Sequence, residues 1–292
     1  MSSTASTASV KSIRALERGL DVLQALQTGP AGLKALHEIT GLPKATLLRI
    51  LRTLTERNLI WRRMADGAYL PSSRAPARKP GPDDASALVE VASPVMARLC
   101  ERVNWPSVLA VRRGGRMEVI ETNRPRSYVP HLPLGPVGAR IPMLLTATGR
   151  CYVAFCGQDE REEILALLRA SRDPNDALAS DPAYVARLVT QTQAQGYGLR
   201  DPALTVGPGG DIGLGDDGRN SISVPVIAAG HTLATLNLTW TRRAATAAQI
   251  VAEHLTDLRA AAAEVAAGMA EPTLAPQGGE REGPAGRRSA GG

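Results

Sequence analysis

The side chains in this sequence whose spacing could do chemistry are cationic. Residues 33–57 read LKALHEITGLPKATLLRILRTLTER. With Leu47 at zero and 100° per residue, Ile50, Leu51 and Leu54 lie within roughly 60° of it, while Ala45, Arg49, Arg52 and Glu56 gather near the opposite pole. An apolar face opposite a small, basic one suits contact with phosphates and base edges. Lys44, Thr46 and Leu48 complete the exposed first turns, and Arg62 and Arg63 follow a few residues on. Bond-making chemistry has no comparable constellation: Cys100, Cys151 and Cys156 form no CxxC, and the four histidines are scattered. His37 and Glu38 have no third partner. No nucleophile, base and orienting residue share a motif, so the chain is not expected to be an enzyme, nor to need a cofactor or a metal.

Those cations need a frame. Gly41 supplies the positive φ of a tight interhelical turn, and Pro43 fits the first turn of the helix that follows. Residues 13–27 carry Ile13, Leu16, Leu20, Leu23 and Leu26 at helical spacing behind Ser12, a good N-cap, and stop at Thr28, Gly29 and Pro30. After the basic helix, Ala65, Asp66 and Gly67 form a turn between two short strand-like runs, which predicts a hairpin carrying Arg62 and Arg63 along its edge. Helix, glycine turn, helix and hairpin is the layout of a winged helix-turn-helix, whose second helix enters the major groove of double-stranded DNA. Charge agrees. The first 80 residues hold 13 lysines and arginines against five acidic residues; the remainder holds 21 against 23. The excess positive charge is therefore confined to this module, the electrostatic footprint of phosphate binding.

The run GLPKATLLRILRTLTERNLI, with the helix before it and the hairpin after it, resembles the DNA-binding domain of the isocitrate lyase regulator (IclR) family of bacterial transcription regulators. The resemblance continues through IPMLLTATGRCYVAFC, AQGYG and SISVPVIAAGHTLATLNL, and covers most of residues 11–269. Within the family the chain is most similar to regulators of aromatic-acid catabolism. The resemblance implies a second, GAF-like effector-binding domain, a homodimer or dimer of dimers on a pseudo-palindromic operator, and RNA polymerase as a further candidate partner. The sequence departs from the family at Ala45, where a hydroxyl residue is common, and in the glycine-rich stretch 205–218, a candidate flap.

The rest of the chain fits two modest domains: 292 residues with 43% apolar content can build two cores. Residues 1–9 lack an apolar signal core, and no run approaches the roughly 18 apolar residues of a membrane span, so the chain is expected to stay in the cytoplasm. An odd number of cysteines fits reducing surroundings. Expected boundaries are a disordered 1–10, a winged helix-turn-helix at 11–72, a linker and linker helix at 73–94, the effector domain at 95–270 and a disordered 271–292 tail. In the second domain, strand-like runs flank Gly114 and Gly115, and again residues 228–230. Between them lie helices capped by Asp159 with Glu162 and by Asp181 with Pro182, and a last helix opens with a Thr246/Gln249 box. The fold class is α+β with an antiparallel sheet.

A small ligand has one candidate berth. Ile141, Met143 and Leu145 lead into Thr146, Ala147, Thr148 and Gly149, small residues at a helix N-terminus, where free N–H groups could meet a carboxylate. Thr146 could equally be an ordinary N-cap; the family resemblance favours the acid-binding reading. Ser221, Ser223 and Asn237 are polar at strand positions that otherwise read as core, and either bond within the sheet or face the ligand. The expectation is a regulator of a catabolic operon that senses a small organic acid, with aromatic acids the candidate class. A constitutive architectural DNA-binding protein is the rival; it leaves the second domain without a role.

Overall fold

A computed structural model describes residues 13–72, 85–125, 135–201, 204–206, 212–214 and 218–270. The linker stretch 73–84, the tails before residue 13 and after residue 270, and most of the glycine-rich stretch lie outside these residues; the first helix starts one residue later than expected, with Ile13 rather than Ser12 at its N-cap and no side-chain cap.

The N-terminal module is three helices and a hairpin: α1 (Arg14–Gln27), α2 (Leu33–Thr40), α3 (Lys44–Glu56), β1 (Ile60–Arg62) and β2 (Tyr69–Pro71). Gly41 caps α2 in the left-handed region at φ 67°, which turns the chain sharply enough for α3 to begin at Lys44, with Pro43 as its N-cap. Leu47, Leu51 and Leu54 of α3 join Val22, Leu26, Leu36 and Ile60 in one small core. β1 and β2 pair antiparallel from Ile60↔Pro71 to Arg62↔Tyr69, and Ala31 bridges to Tyr69 to tie the hairpin to the helices. The apolar stripe of α1 does not all turn inward. Ile13, Leu16 and Leu20 are 68%, 59% and 48% exposed, and only the C-terminal half, with Val22, Ala25 and Leu26, is buried.

The second domain is a six-stranded sheet between two helical layers. Its helices are α4 (Ser86–Val103), α5 (Ala147–Phe155), α6 (Gln158–Arg169), α7 (Pro182–Gln195) and α8 (Ala247–Ala270). Its strands are β3 (Ser107–Arg113), β4 (Arg116–Asn123), β5 (Arg140–Pro142), β6 (Gly198–Leu199), β9 (Arg219–Ala228) and β10 (His231–Thr241); a separate pair, β7 (Leu204–Val206) and β8 (Ile212–Leu214), lies between β6 and β9 in the chain. The sheet order is β5-β4-β3-β10-β9-β6, every neighbour antiparallel. Strand alternation sends Leu109, Val111, Val224, Leu236 and Leu238 into a core with α4 and α8, and Ala110 and Met117 into a second core with α5, α6 and α7. The α+β reading with an antiparallel sheet stands.

Both hairpins form where glycine permits: Gly114 at φ 61°, and Ala229–Gly230 at φ 49° and 78°. Asp181 caps α7 through the amides of Ala183 and Tyr184, and Thr246 exchanges hydrogen bonds with Gln249. The Asp159/Glu162 box does not form. Helix α6 starts at Gln158 behind Gly157, so Asp159 sits inside the first turn, where it faces the positive end of the helix rather than capping it.

Candidate functional site

Helix α3 presents its basic pole to solvent. Lys44, Ala45, Leu48, Arg49 and Arg52 are exposed and Thr46 half-exposed. The Arg52 guanidinium donates to Glu56 at 2.8 Å, whereas among the described residues no acidic group pairs with Lys44 or Arg49. Those two charges remain available to an incoming polyanion. On the hairpin the two arginines differ. Arg62 is exposed, lies 5.8 Å over the Tyr69 ring and donates to the Gly67 carbonyl. Arg63 is only 15% exposed and makes two hydrogen bonds to Asp66, at 3.0 and 2.5 Å.

The hairpin is not free-standing. Trp61 is buried among the residues that line the second domain's α4 core, with Leu88 and Val89 in the same cluster. Its turn meets Glu121 of β4, which is fully buried. One carboxylate oxygen accepts from the Met64 amide at 3.2 Å and the Ser93 hydroxyl at 2.7 Å; the other accepts from the amides of Ala65 at 3.0 Å and Thr122 at 2.9 Å. Sequence reading missed Glu121. A bulge is the reason: Leu109 faces Glu121 but Ala110 faces Val119, so Ile120 is skipped and Glu121 leaves the face of Met117 and Val119, where alternation puts it, for the face of Leu109, against α4.

At the start of α5 several of the candidate ligand residues do come together, and Thr146, Thr148, Ser223 and Asn237 have hydrogen-bond partners within the fold. Thr146 is the N-cap: its hydroxyl accepts from the Gly149 amide at 3.0 Å and donates to the Pro142 carbonyl at 2.7 Å. Gly149 lies so near Met143 that a Cβ there would fall 2.3 Å from the Met143 carbonyl oxygen. Asn237 uses both ends of its amide, donating to Thr148 at 3.1 Å and accepting from the Val108 amide at 3.0 Å. Ser223 donates to the Leu236 carbonyl at 3.2 Å. Met143, Leu145, Ala147 and Ser221 are buried and Ile141 is half-buried. Beside this cluster sits a network that the sequence did not announce: Arg150 donates to Asp201 at 2.8 Å and to the Tyr184 hydroxyl at 3.1 Å. Burial pushes the Tyr184 phenol upward. A lone arginine in an otherwise small and apolar helix was the available signal.

All three cysteines are buried and free, and burial raises the Cys156 thiol to about 11 and that of Cys151 further still. Among the described residues no group of three His, Cys, Asp or Glu could hold a metal, and no helix is long and apolar enough to cross a membrane.

This geometry is a winged helix-turn-helix joined to an α+β domain. The family model for the IclR helix-turn-helix domain matches residues 15–63, and that for the C-terminal domain of bacterial IclR transcriptional regulators matches residues 84–267. The chain belongs to the IclR family of bacterial transcriptional regulators. It is 28% identical over 164 residues to the HTH-type transcriptional regulator TsaQ1/TsaQ2 of Comamonas testosteroni, a match spanning 54% of this chain and 57% of that relative. Among solved structures it is similar in fold to an IclR homolog of Microbacterium hydrocarbonoxydans complexed with 4-hydroxybenzoate (TM-score 0.50, 22% identity, 87% of this chain and 98% of that one). The IclR of Thermotoga maritima is similar too (TM-score 0.50, 15% identity, 88% and 99%).

Proposed function

We propose that this protein is a transcription regulator that lays α3 in the major groove of an operator and answers to a small organic acid. The observation that carries the DNA reading is the charge of Lys44 and Arg49, paired with no acid among the described residues, on the outer face of a helix whose inner face is locked into a core. Arg49 is placed to reach a base edge or its flanking phosphate; Lys44 and Arg62 serve phosphate. The functional units are a DNA-binding domain at 11–72, a linker and linker helix at 73–94 and an effector domain at 95–270.

One such module reads only a few base pairs, so specific binding calls for two copies with half-sites about 10 base pairs or a multiple apart. The exposed stripe of Ile13, Leu16 and Leu20 on α1 is an apolar surface for a second copy to cover. The acid reading draws on the α5 N-terminus and on the neighbour that holds 4-hydroxybenzoate. A catabolic operon is the fitting target for a sensor of such acids.

The test has two arms. Duplexes selected from random DNA by the full chain define an operator, on which Arg49→Ala is expected to lose about 1–3 kcal/mol and discriminate bases less. Undiminished binding would overturn the docking. Titration with 4-hydroxybenzoate and simple aliphatic acids should then shift DNA affinity and acid affinity by the same factor, a coupling of about 1–3 kcal/mol; DNA affinity unchanged by any acid would point to a constitutive binder.

A further inference from the structure

We propose that the wing turn is a phosphate-binding site which Glu121 occupies while DNA is absent, an inference that rests on the DNA-binding reading above. The donors converging there are the amides of Met64 and Ala65, each on a different oxygen of one carboxylate. Arg63, the residue before them, lines the same cleft and is paired there with Asp66. Two adjacent backbone N–H groups with a guanidinium beside them form the donor set that binds a phosphodiester oxygen pair. In this arrangement a buried carboxylate from the second domain fills it. Glu121 is itself fixed from behind by Ser93 of α4 and by the Thr122 amide, so the stand-in anion is held by the domain that would sense a ligand.

The arrangement divides the hairpin into a fixed base and a releasable turn. Trp61 anchors the base in the α4 core. The turn is held through polar contacts and borders a cleft of about 440 Å³ lined by Arg63, Ala65, Thr122, Arg124 and Pro136. While Glu121 holds the turn, the two amides are withheld from DNA; Arg63 is held by Asp66 and reaches a phosphate by exchanging that partner. Release gives the protein one further phosphate contact without moving α3 off its core.

The experiment uses the full chain and the duplex it selects from random DNA. Glu121→Gln places an NH2 where an oxygen accepts two hydrogen bonds, whichever way the amide turns, and so opposes the clamp. The expected result is DNA binding about tenfold tighter, with the slope of log affinity against log salt steeper by about one, the signature of a gained phosphate. Arg63→Gln added to that variant should take the extra slope away. In the free wild type the Met64 and Ala65 amides should exchange slowly with deuterium, and in Glu121→Gln quickly until DNA is added. A merely structural role for Glu121 would weaken binding and leave the slope alone. Should Glu121→Gln not fold, Ser93→Ala removes one of the four donors at the cost of a single atom and should move affinity, slope and exchange the same way by a smaller step. Unchanged or shallower slopes in a folded variant overturn the proposal. A wild type that selects no duplex would instead overturn the DNA reading on which it stands.

Discussion

Replacing Asn237 with Leu changes little in shape and removes both of its hydrogen bonds. The Val108 amide, which donates to Asn237 at 3.0 Å, is left buried without an acceptor, and Thr148 loses the donor 3.1 Å away. Stranding a buried amide costs about 1–3 kcal/mol and losing the second bond about 1 kcal/mol. The more apolar side chain, at a position only 6% exposed, returns about 1 kcal/mol. The net is a loss of about 2 kcal/mol, which in a domain of this size lowers the melting temperature by about 4–8 °C. Urea unfolding followed by tryptophan fluorescence measures it. A cycle with Thr148→Val isolates the side-chain pair, and a coupling of at least about 0.5 kcal/mol is expected for groups in contact. A variant within about 0.5 kcal/mol of wild type in stability but weaker in acid binding would show that Asn237 serves a ligand instead.

Gly198→Ala would place a methyl 2.3 Å from the Ala147 carbonyl oxygen and 2.7 Å from the Cys151 nitrogen, so β6 must lift from α5; a loss of about 3 kcal/mol in urea unfolding is expected, and a neutral substitution refutes the packing. The hydrogen bond from Arg63 holds the Asp66 carboxyl below its ordinary 3.8, so its contribution to stability is complete above that value and disappears as the pH falls through the lowered one. The stability gap between wild type and Asp66→Asn should therefore close in acid; a gap that does not change with pH excludes the pairing. Cys100, Cys151 and Cys156 should resist alkylation at pH 8 in the native protein and label fully once it is unfolded, because burial raises all three thiols; prompt native labelling of Cys151 would contradict its placement.

Much of the reading head is legible in sequence because its determinants are local. The 3.6-residue period of Leu47, Leu51 and Leu54, the left-handed Gly41 and the hairpin turn at Gly67 each act within a few residues. The two long hairpins of the second domain are legible for the same reason. What local pattern could not supply is partnership. The stripe on α1 has a core-like period, yet periodicity does not distinguish a face turned to the chain's own core from one left for another surface. Thr146 caps α5 through the Gly149 amide, and Asn237 links sheet to helix through Val108 and Thr148, contacts that period alone does not name. Glu121 was the hardest to foresee: its wing donors are 56 and 57 residues away, and a one-residue bulge reverses the face it should occupy.

Trp61 bears on how such a chain can be taken apart. By its backbone it belongs to the hairpin of the reading head, paired with Leu70; by its indole it belongs to the other domain's interior. Cutting the chain in the linker would leave the head's own small core intact and turn a large aromatic ring out into water. The portable piece is therefore longer than the head. A graft onto a foreign sensor would have to carry α4 with it, or offer the indole an equivalent of Leu88 and Val89, before the borrowed helix could be held at a defined angle to its new host.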